Sequence, residues 1–248
     1  MTKTILITGS SRGIRAATAL LAAKQGYNVC VNYLQNEKAA EQIVHQINQN
    51  GGKAIAYQAD VTSETDVKSL FSKIDDDFGG LTALVNNSGI LETQSRVDNM
   101  DMNRILRVIN SNIISCFLCS KEAIKRMSTL YGGVGGAIVN VSSIAAKTGS
   151  PNEYVDYAAS KAAVDALTIG LSKEVAEEGI RVNAVRPGFI YTDIHANGGE
   201  PNRVDRIKNM VPMKRGGQPG EVAKAILWLL SDEASFSTGT FIDISGGR

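Results

Sequence analysis

The sequence predicts a doubly wound α/β domain, a parallel sheet of about seven strands with helices on both faces. Two observations carry this. Short apolar runs alternate with longer helical patterns almost to the end of the chain, and parallel neighbours need such crossovers. Glycines also fall where the helices should stop, at Gly26, Gly51-Gly52 and Gly79-Gly80. The expected strands are Lys3 to Thr8, Asn28 to Tyr33, Lys53 to Gln58, Leu81 to Asn86, Ala137 to Val141, Arg181 to Val185 and Thr240 to Ile244. Segments such as Ile14 to Gln25 and Glu37 to Asn50 are long enough for crossover helices. No Pro/Ser-rich linker or change in composition precedes residue 190, so residues 1–248 are expected to form one domain.

Composition excludes several classes of function. The 26 basic and 25 acidic residues nearly balance, which argues against a nucleic-acid or anionic-membrane partner. No segment is long enough to span a bilayer. The apolar run Ile5-Leu6-Ile7 is too short for a signal peptide. Three cysteines, an odd number, argue against a disulfide framework. A cytoplasmic, reduced protein is expected.

The first expected strand runs into Thr8-Gly9-Ser10-Ser11-Arg12-Gly13-Ile14 and then a helix. A glycine-rich turn there lets backbone N–H groups approach a pyrophosphate at the positive end of the helix. Sites for NAD usually carry a carboxylate at the end of the second strand, to bind the ribose hydroxyls. Here that strand ends Val31-Asn32-Tyr33, and the first carboxylate, Glu37, belongs to the next helix. Arg12 offers a cation for a 2′-phosphate instead. The combination points to NADP(H), with NAD the poorer fit.

Asp60-Val61 follows the third strand and Asn86-Asn87-Ser88-Gly89 the fourth. Residues just past strand ends line the ligand crevice of a parallel sheet, although turns favour the same residue types. The fifth strand runs into Ser142-Ser143, where a hydroxyl is available to a substrate carbonyl or to cap a turn. The sixth ends in Arg186-Pro187-Gly188-Phe189-Ile190-Tyr191-Thr192. Residues 193–217 then form a polar, Gly/Pro-rich stretch, expected to be an irregular substrate lid, with His195 either lining it or, as the simpler reading, exposed.

The segment from Ile105 to Met127 is apolar around much of its circumference, which predicts a helix buried on nearly all sides. On the surface layer of a doubly wound domain that implies a subunit interface. Asn112 inside it is a bridge to the sheet or part of a site. Cys116-x-x-Cys119 sits mid-helix among apolar residues, with no second Cys/His pair, and reads as packing.

The chemistry is expected at Tyr157-x-x-x-Lys161. Residues four apart share one helical face, and the pattern continues through Val164, Leu167, Leu171 and Val175. An ammonium beside a phenol favours the phenolate, making a group that exchanges protons near neutral pH.

These landmarks, in this order, resemble the short-chain dehydrogenase/reductase family over essentially the whole chain. The matching pieces are Thr8-Gly9-x-x-x-Gly13, Asp60, Asn86 to Gly89, Asn112, Ser143, Tyr157-x-x-x-Lys161, Pro187-Gly188 and Ser245-Gly246-Gly247. The resemblance implies a Rossmann-type domain catalysing NADP(H)-dependent hydride transfer between a nicotinamide and a small carbonyl or alcohol substrate. Its closest feel is to reductases of 3-oxoacyl carriers and to sugar dehydrogenases. Tyr157 would be general acid and base, and Lys161 would lower its pKa and hold the nicotinamide ribose. Ser143 would orient the substrate oxygen, and Asn112 would anchor a relay water. Gly9, Ser11, Gly13 and Ile14 would cradle the pyrophosphate. Asp60, Val61 and Asn87 would surround the adenine and its ribose, Ile190 and Thr192 would meet the carboxamide, and Asn32, Ser88, Gly89, Pro187 and Gly188 would also contact the cofactor. A homotetramer is implied as well.

Two departures stand out. The family's glycine turn has a third glycine where this chain has Arg15. That side chain either intrudes on the cofactor, turns outward, or reaches a phosphate. A cofactor-binding sensor or scaffold with weak turnover is therefore the alternative function. The stretch from Ser143 to Tyr157 is also one residue longer than usual, around Pro151-Asn152-Glu153, which leaves Ser142 as a second candidate hydroxyl.

Overall fold

The computed structural model describes residues 3–9 and 12–248. Seven parallel strands form one sheet in the order β3-β2-β1-β4-β5-β6-β7. They are β1 (Thr4–Ile7), β2 (Asn28–Tyr33), β3 (Lys53–Gln58), β4 (Ala83–Asn86), β5 (Gly136–Val141), β6 (Ile180–Pro187) and β7 (Phe241–Ile244). The crossover helices are α1 (Gly13–Lys24), α2 (Glu37–Gln49), α3 (Glu64–Phe78), α4 (Met102–Ile109), α5 (Ser115–Met127), α7 (Val155–Glu174) and α10 (Pro219–Leu230). Short helices α6 (Ala145–Thr148), α8 (Ile194–Asn197) and α9 (Arg203–Ile207) lie beyond the ends of β5 and β6.

Alternation along the strands explains the two-sided core. Ile5 and Ile7 pack with α1, α2 and α10 residues such as Ala22, Ile47 and Ile226. Leu6 between them packs on the other face with Phe71 of α3, Met127 of α5 and Leu171 of α7. Successive side chains of a strand point to opposite faces, so a strand covered on both sides reads as a continuous apolar run. Leu6, Leu84 and Ile138 are fully buried, each contributing about 1.5–3 kcal/mol relative to exposure.

Two expectations need correcting. The apolar segment from Ile105 to Met127 is not one regular helix. It starts at Met102 and widens into a π turn over Asn110–Ile114 before α5 continues. In the single chain Leu106, Ile114 and Phe117 remain 45%, 38% and 52% exposed, the face on which a subunit interface is expected. Residues 193–217 are not wholly irregular, since they carry α8 and α9. Glu200 organises them, accepting from Arg203 at 3.0 Å and Arg206 at 2.9 Å.

Candidate active site

The strand order reverses direction between β1 and β4, and a crevice opens beyond their carboxyl ends. Thr8 laces its two rims. Its Oγ1 accepts the Asn87 and Ser88 N–H groups at 3.1 Å each. Gly9 and Gly13 have φ of +88° and +59°, which glycine adopts without strain. A Cβ at Gly9 would meet Ser88 Oγ at 2.6 Å, and one at Gly13 would meet Thr192 Cγ2 at 2.9 Å. Both turns need glycine for conformation and for space. Ser11 lies outside the described residues.

A cavity of about 560 Å³ extends from this crevice along the ends of β5 and β6, well within the range of small-molecule sites. Ile14, Asn87, Tyr157, Lys161 and Ser143 form part of its wall. Gly89, Pro187, Gly188, Ile190 and Thr192 complete that part. Tyr157 and Lys161 share a face of α7, with Lys161 Nζ 5.6 Å from the phenol ring centre. Lys161 Nζ also donates to Val141 O at 2.8 Å.

Electrostatics correct one expectation. Burial dominates the Tyr157 phenol and raises its pKa, while a hydrogen bond from Ser143 and the charge of Arg15 pull it back. Burial likewise lowers the pKa of Lys161. The phenol is therefore not poised as a phenolate, because desolvation outweighs the Ser143 hydrogen bond and the Arg15 charge. The two serines separate clearly. Both line the cavity, but Ser142 Oγ donates to Lys161 O at 3.1 Å, whereas Ser143 hydrogen-bonds the Tyr157 phenol. The additional residue before Tyr157 is absorbed in a turn where Ser150 and Asn152 take φ of +41° and +64°.

Asn112 sits in the π turn and its side chain is fully engaged. Oδ1 accepts the Ile90 N–H at 2.8 Å, and Nδ2 donates to Ile90 O at 3.1 Å and to Ser160 Oγ at 2.9 Å. Cys116 and Cys119 are buried, and burial raises both thiol pKa values.

Other expected site residues stand apart from the cavity. Asn32 is buried and braces the glycine turn: Oδ1 accepts the Gly9 N–H at 3.0 Å and Nδ2 donates to Ala59 O at 3.0 Å. Both polar atoms of its side chain are thus engaged within the protein. Asp60 Oδ1 accepts from the Thr62 N–H and hydroxyl at 2.9 and 2.7 Å, shaping the turn after β3, and Val61 is buried. Ser88 Oγ is buried with no partner. Arg12 reaches the cavity rim, where it pairs at 3.3 Å with Asp193, both more than half exposed. Solvent screens such a pair heavily.

Arg15 crosses the crevice. Its guanidinium donates to Asn87 O at 3.1 Å, to Gly89 O at 3.3 Å and to Gly9 O. Those carbonyls belong to both rims, so the side chain straps β1 to β4. Burial lowers its pKa to about 10, and it stays cationic at neutral pH.

Four residues went unassigned or misassigned in the sequence. His195 is buried rather than exposed, and its Nε2 lies 3.1 Å from Ile190 O. Burial and the nearby Arg203 charge lower its pKa, so the ring is neutral and Nε2 donates. Arg203 stacks between Tyr154 and Phe189, at 4.7 and 5.6 Å from their ring centres. All four line the cavity. A tyrosine, a phenylalanine and an arginine scattered over 50 residues leave no local pattern to read.

The comparisons agree with this geometry. The family profile adh_short_C2, described as Enoyl-(Acyl carrier protein) reductase, matches residues 9–248. The "Uncharacterized oxidoreductase YgfF" of Escherichia coli (strain K12) is 60% identical over 243 residues, 98% of each chain. A 3-ketoacyl-(acyl-carrier-protein) reductase from Brucella melitensis, complexed with NADH, superimposes with a TM-score of 0.91 at 29% identity, covering 99% of this chain and 98% of that one. ElxO with NADP bound does so with a TM-score of 0.88 at 36% identity, covering 100% and 98%. With its parallel sheet, glycine turn and Tyr157/Lys161 helix, the chain belongs to the short-chain dehydrogenase/reductase family.

Proposed function

We propose that the chain is an NADP(H)-dependent oxidoreductase interconverting a carbonyl and a secondary alcohol, with Tyr157 as general acid and base. The observation that carries this is the meeting of Tyr157, Lys161 and Ser143 on the wall of a cavity that the glycine turn also lines. The surroundings suit a dinucleotide: a glycine turn with Gly9 and Gly13 at positive φ leads into the start of α1, and Gly13 and Ile14 line the cavity. Arg15 crosses the crevice that the cofactor would occupy.

When bound, a nicotinamide supplies or removes the hydride. The chain's own groups do the rest. Tyr157 donates its proton to the carbonyl oxygen in reduction and takes it back in oxidation. Its raised pKa keeps it protonated at neutral pH, which favours the reductive direction there. Ser143 orients the substrate oxygen, and Lys161 stabilises the phenolate as it forms. Asn112 holds the loop after β4 and supports a proton path past Lys161. A panel of carbonyls and alcohols, followed by NADPH oxidation and NADP⁺ reduction, tests this reading. Binding of NADPH with no turnover across a broad panel would favour the alternative, a cofactor sensor, which the position of Arg15 alone supports.

NADP(H) is expected to be preferred over NAD(H). The relevant features are Arg12 at the rim, held only by an exposed pair, and the absence of a carboxylate at the end of β2. Arg12→Ala should weaken NADPH about tenfold, the scale of one charge-assisted hydrogen bond, and leave NADH nearly unchanged. Equal dissociation constants for the two cofactors in the wild type would refute the preference.

A homo-oligomer, a tetramer by family resemblance, is also proposed. Leu106, Ile114 and Phe117 lie exposed along α4, the π turn and α5, where water contact is unfavourable unless a second copy covers them. Light scattering at micromolar concentration should return a multiple of the chain mass, and a monomer would rule the proposal out.

A further inference from the structure

The α4–α5 element grips α7 at two successive turns, once beside each residue assigned to proton transfer. At the second turn Asn112 bonds Ser160, the residue before Lys161. At the first, Arg104 of α4 meets Asp156, the residue before Tyr157. Arg104 Nε donates to Asp156 Oδ2 at 2.8 Å and Nη2 to Oδ1 at 3.4 Å. The two side chains are only 9% and 6% exposed, and neither lines the cavity.

The connections radiating from this pair define its task. Asp156 Oδ1 also accepts the backbone N–H of Tyr157 at 2.9 Å. Helix α7 has no side-chain cap at Tyr154, so this carboxylate satisfies an N–H that a helix start otherwise leaves open and sits at the positive end of the helix dipole. Arg104 Nη1 donates to Thr93 O at 2.6 Å in the loop after β4. Asp101 caps α4 by accepting the Arg104 N–H at 2.7 Å. One guanidinium thus ties α4, the loop after β4 and the first turn of α7 together.

A buried ion pair is a poor source of net stability, because desolvation offsets most of the attraction. What it supplies is a fixed geometry, since a forked guanidinium admits few arrangements on a carboxylate. We infer that Arg104 and Asp156 form a clamp that positions Tyr157 over the cavity. They are positioning residues acting through the backbone of Tyr157, and the inference rests on Tyr157 being the acid/base.

The test uses the intact chain. Asp156→Asn alone leaves Arg104 buried without its partner, and such changes can unfold a protein. The double variant Arg104→Met/Asp156→Asn buries no unpaired charge and keeps the measurement possible. In it, kcat should fall roughly 10- to 10²-fold, the scale of a 1 Å misplacement of a reacting group, while KM and the NADPH dissociation constant change little. Arg104→Lys keeps the charge but not the fork, and should retain intermediate activity. Hydrogen exchange gives a readout independent of turnover: amides of residues 154–161 should exchange faster in the double variant, with those of α5 unaltered. A folded double variant with wild-type kcat and unchanged exchange would overturn the clamp. Should Tyr157→Phe keep its activity, the assignment of Tyr157 fails instead, and the exchange experiment still decides whether the clamp orders this turn.

Discussion

Replacing Tyr157 with phenylalanine is expected to lower kcat by at least 10²-fold, the usual contribution of a positioned acid or base, with fold and cofactor binding nearly intact. The ring remains against Lys161 and only the hydroxyl is lost, so the deficit falls on the chemical step rather than on KM. The pH dependence is a second check. Burial holds the phenol above its ordinary pKa, so in the oxidative direction the base form accumulates only as pH rises. Wild-type oxidation should climb through the alkaline range, and the residual rate of the variant should not follow it. Retention of more than about a tenth of wild-type kcat would sink the assignment.

The layered fold was legible because both signals that define it are local. Apolar runs such as Ile5-Leu6-Ile7 report strands covered on two faces, and glycines such as Gly26 and Gly79 mark helix ends. Tyr157 and Lys161 were legible for the same reason, since four residues on a helix are one turn apart. What escaped is what the tertiary fold creates. Arg104 and Asp156 are 52 positions apart, and either alone reads as a solvated surface charge. His195 reads as exposed until α8 packs it against Ile190. Asn32 sits where a ribose ligand would, but the third strand brings the Ala59 carbonyl to its amide. Burial reversed the direction expected for the Tyr157 phenol, because spacing fixes which residues are neighbours and says nothing about how much water reaches them.

Arg15→Gly is expected to tighten NADPH binding roughly 10- to 100-fold, and the geometry decides the sign. The guanidinium spans the crevice between β1 and β4, held by the carbonyls of Gly9, Asn87 and Gly89. A dinucleotide crossing the switch point needs that space, so binding must first release the strap. A hydrogen bond from a charged group is worth about 1.5–3 kcal/mol net, and forfeiting one such bond's worth accounts for the expected change. The glycine variant has nothing to release. Its own cost, about 1 kcal/mol of helix propensity relative to alanine, falls on folding. The ligand-free variant should therefore melt at a lower temperature than wild type, while NADPH raises its Tm by more, because stabilisation grows with [L]/Kd. If the guanidinium instead swings onto a cofactor phosphate, the same substitution removes a charge-assisted contact, and binding weakens by roughly 1.5–3 kcal/mol. Arg12 already offers a cation from the same turn at the cavity rim, which leaves Arg15 the role of obstruction. Calorimetric titration of wild type and variant with NADPH separates the cases. A weaker complex in the glycine variant would make Arg15 a phosphate ligand and remove the strap as a barrier to binding.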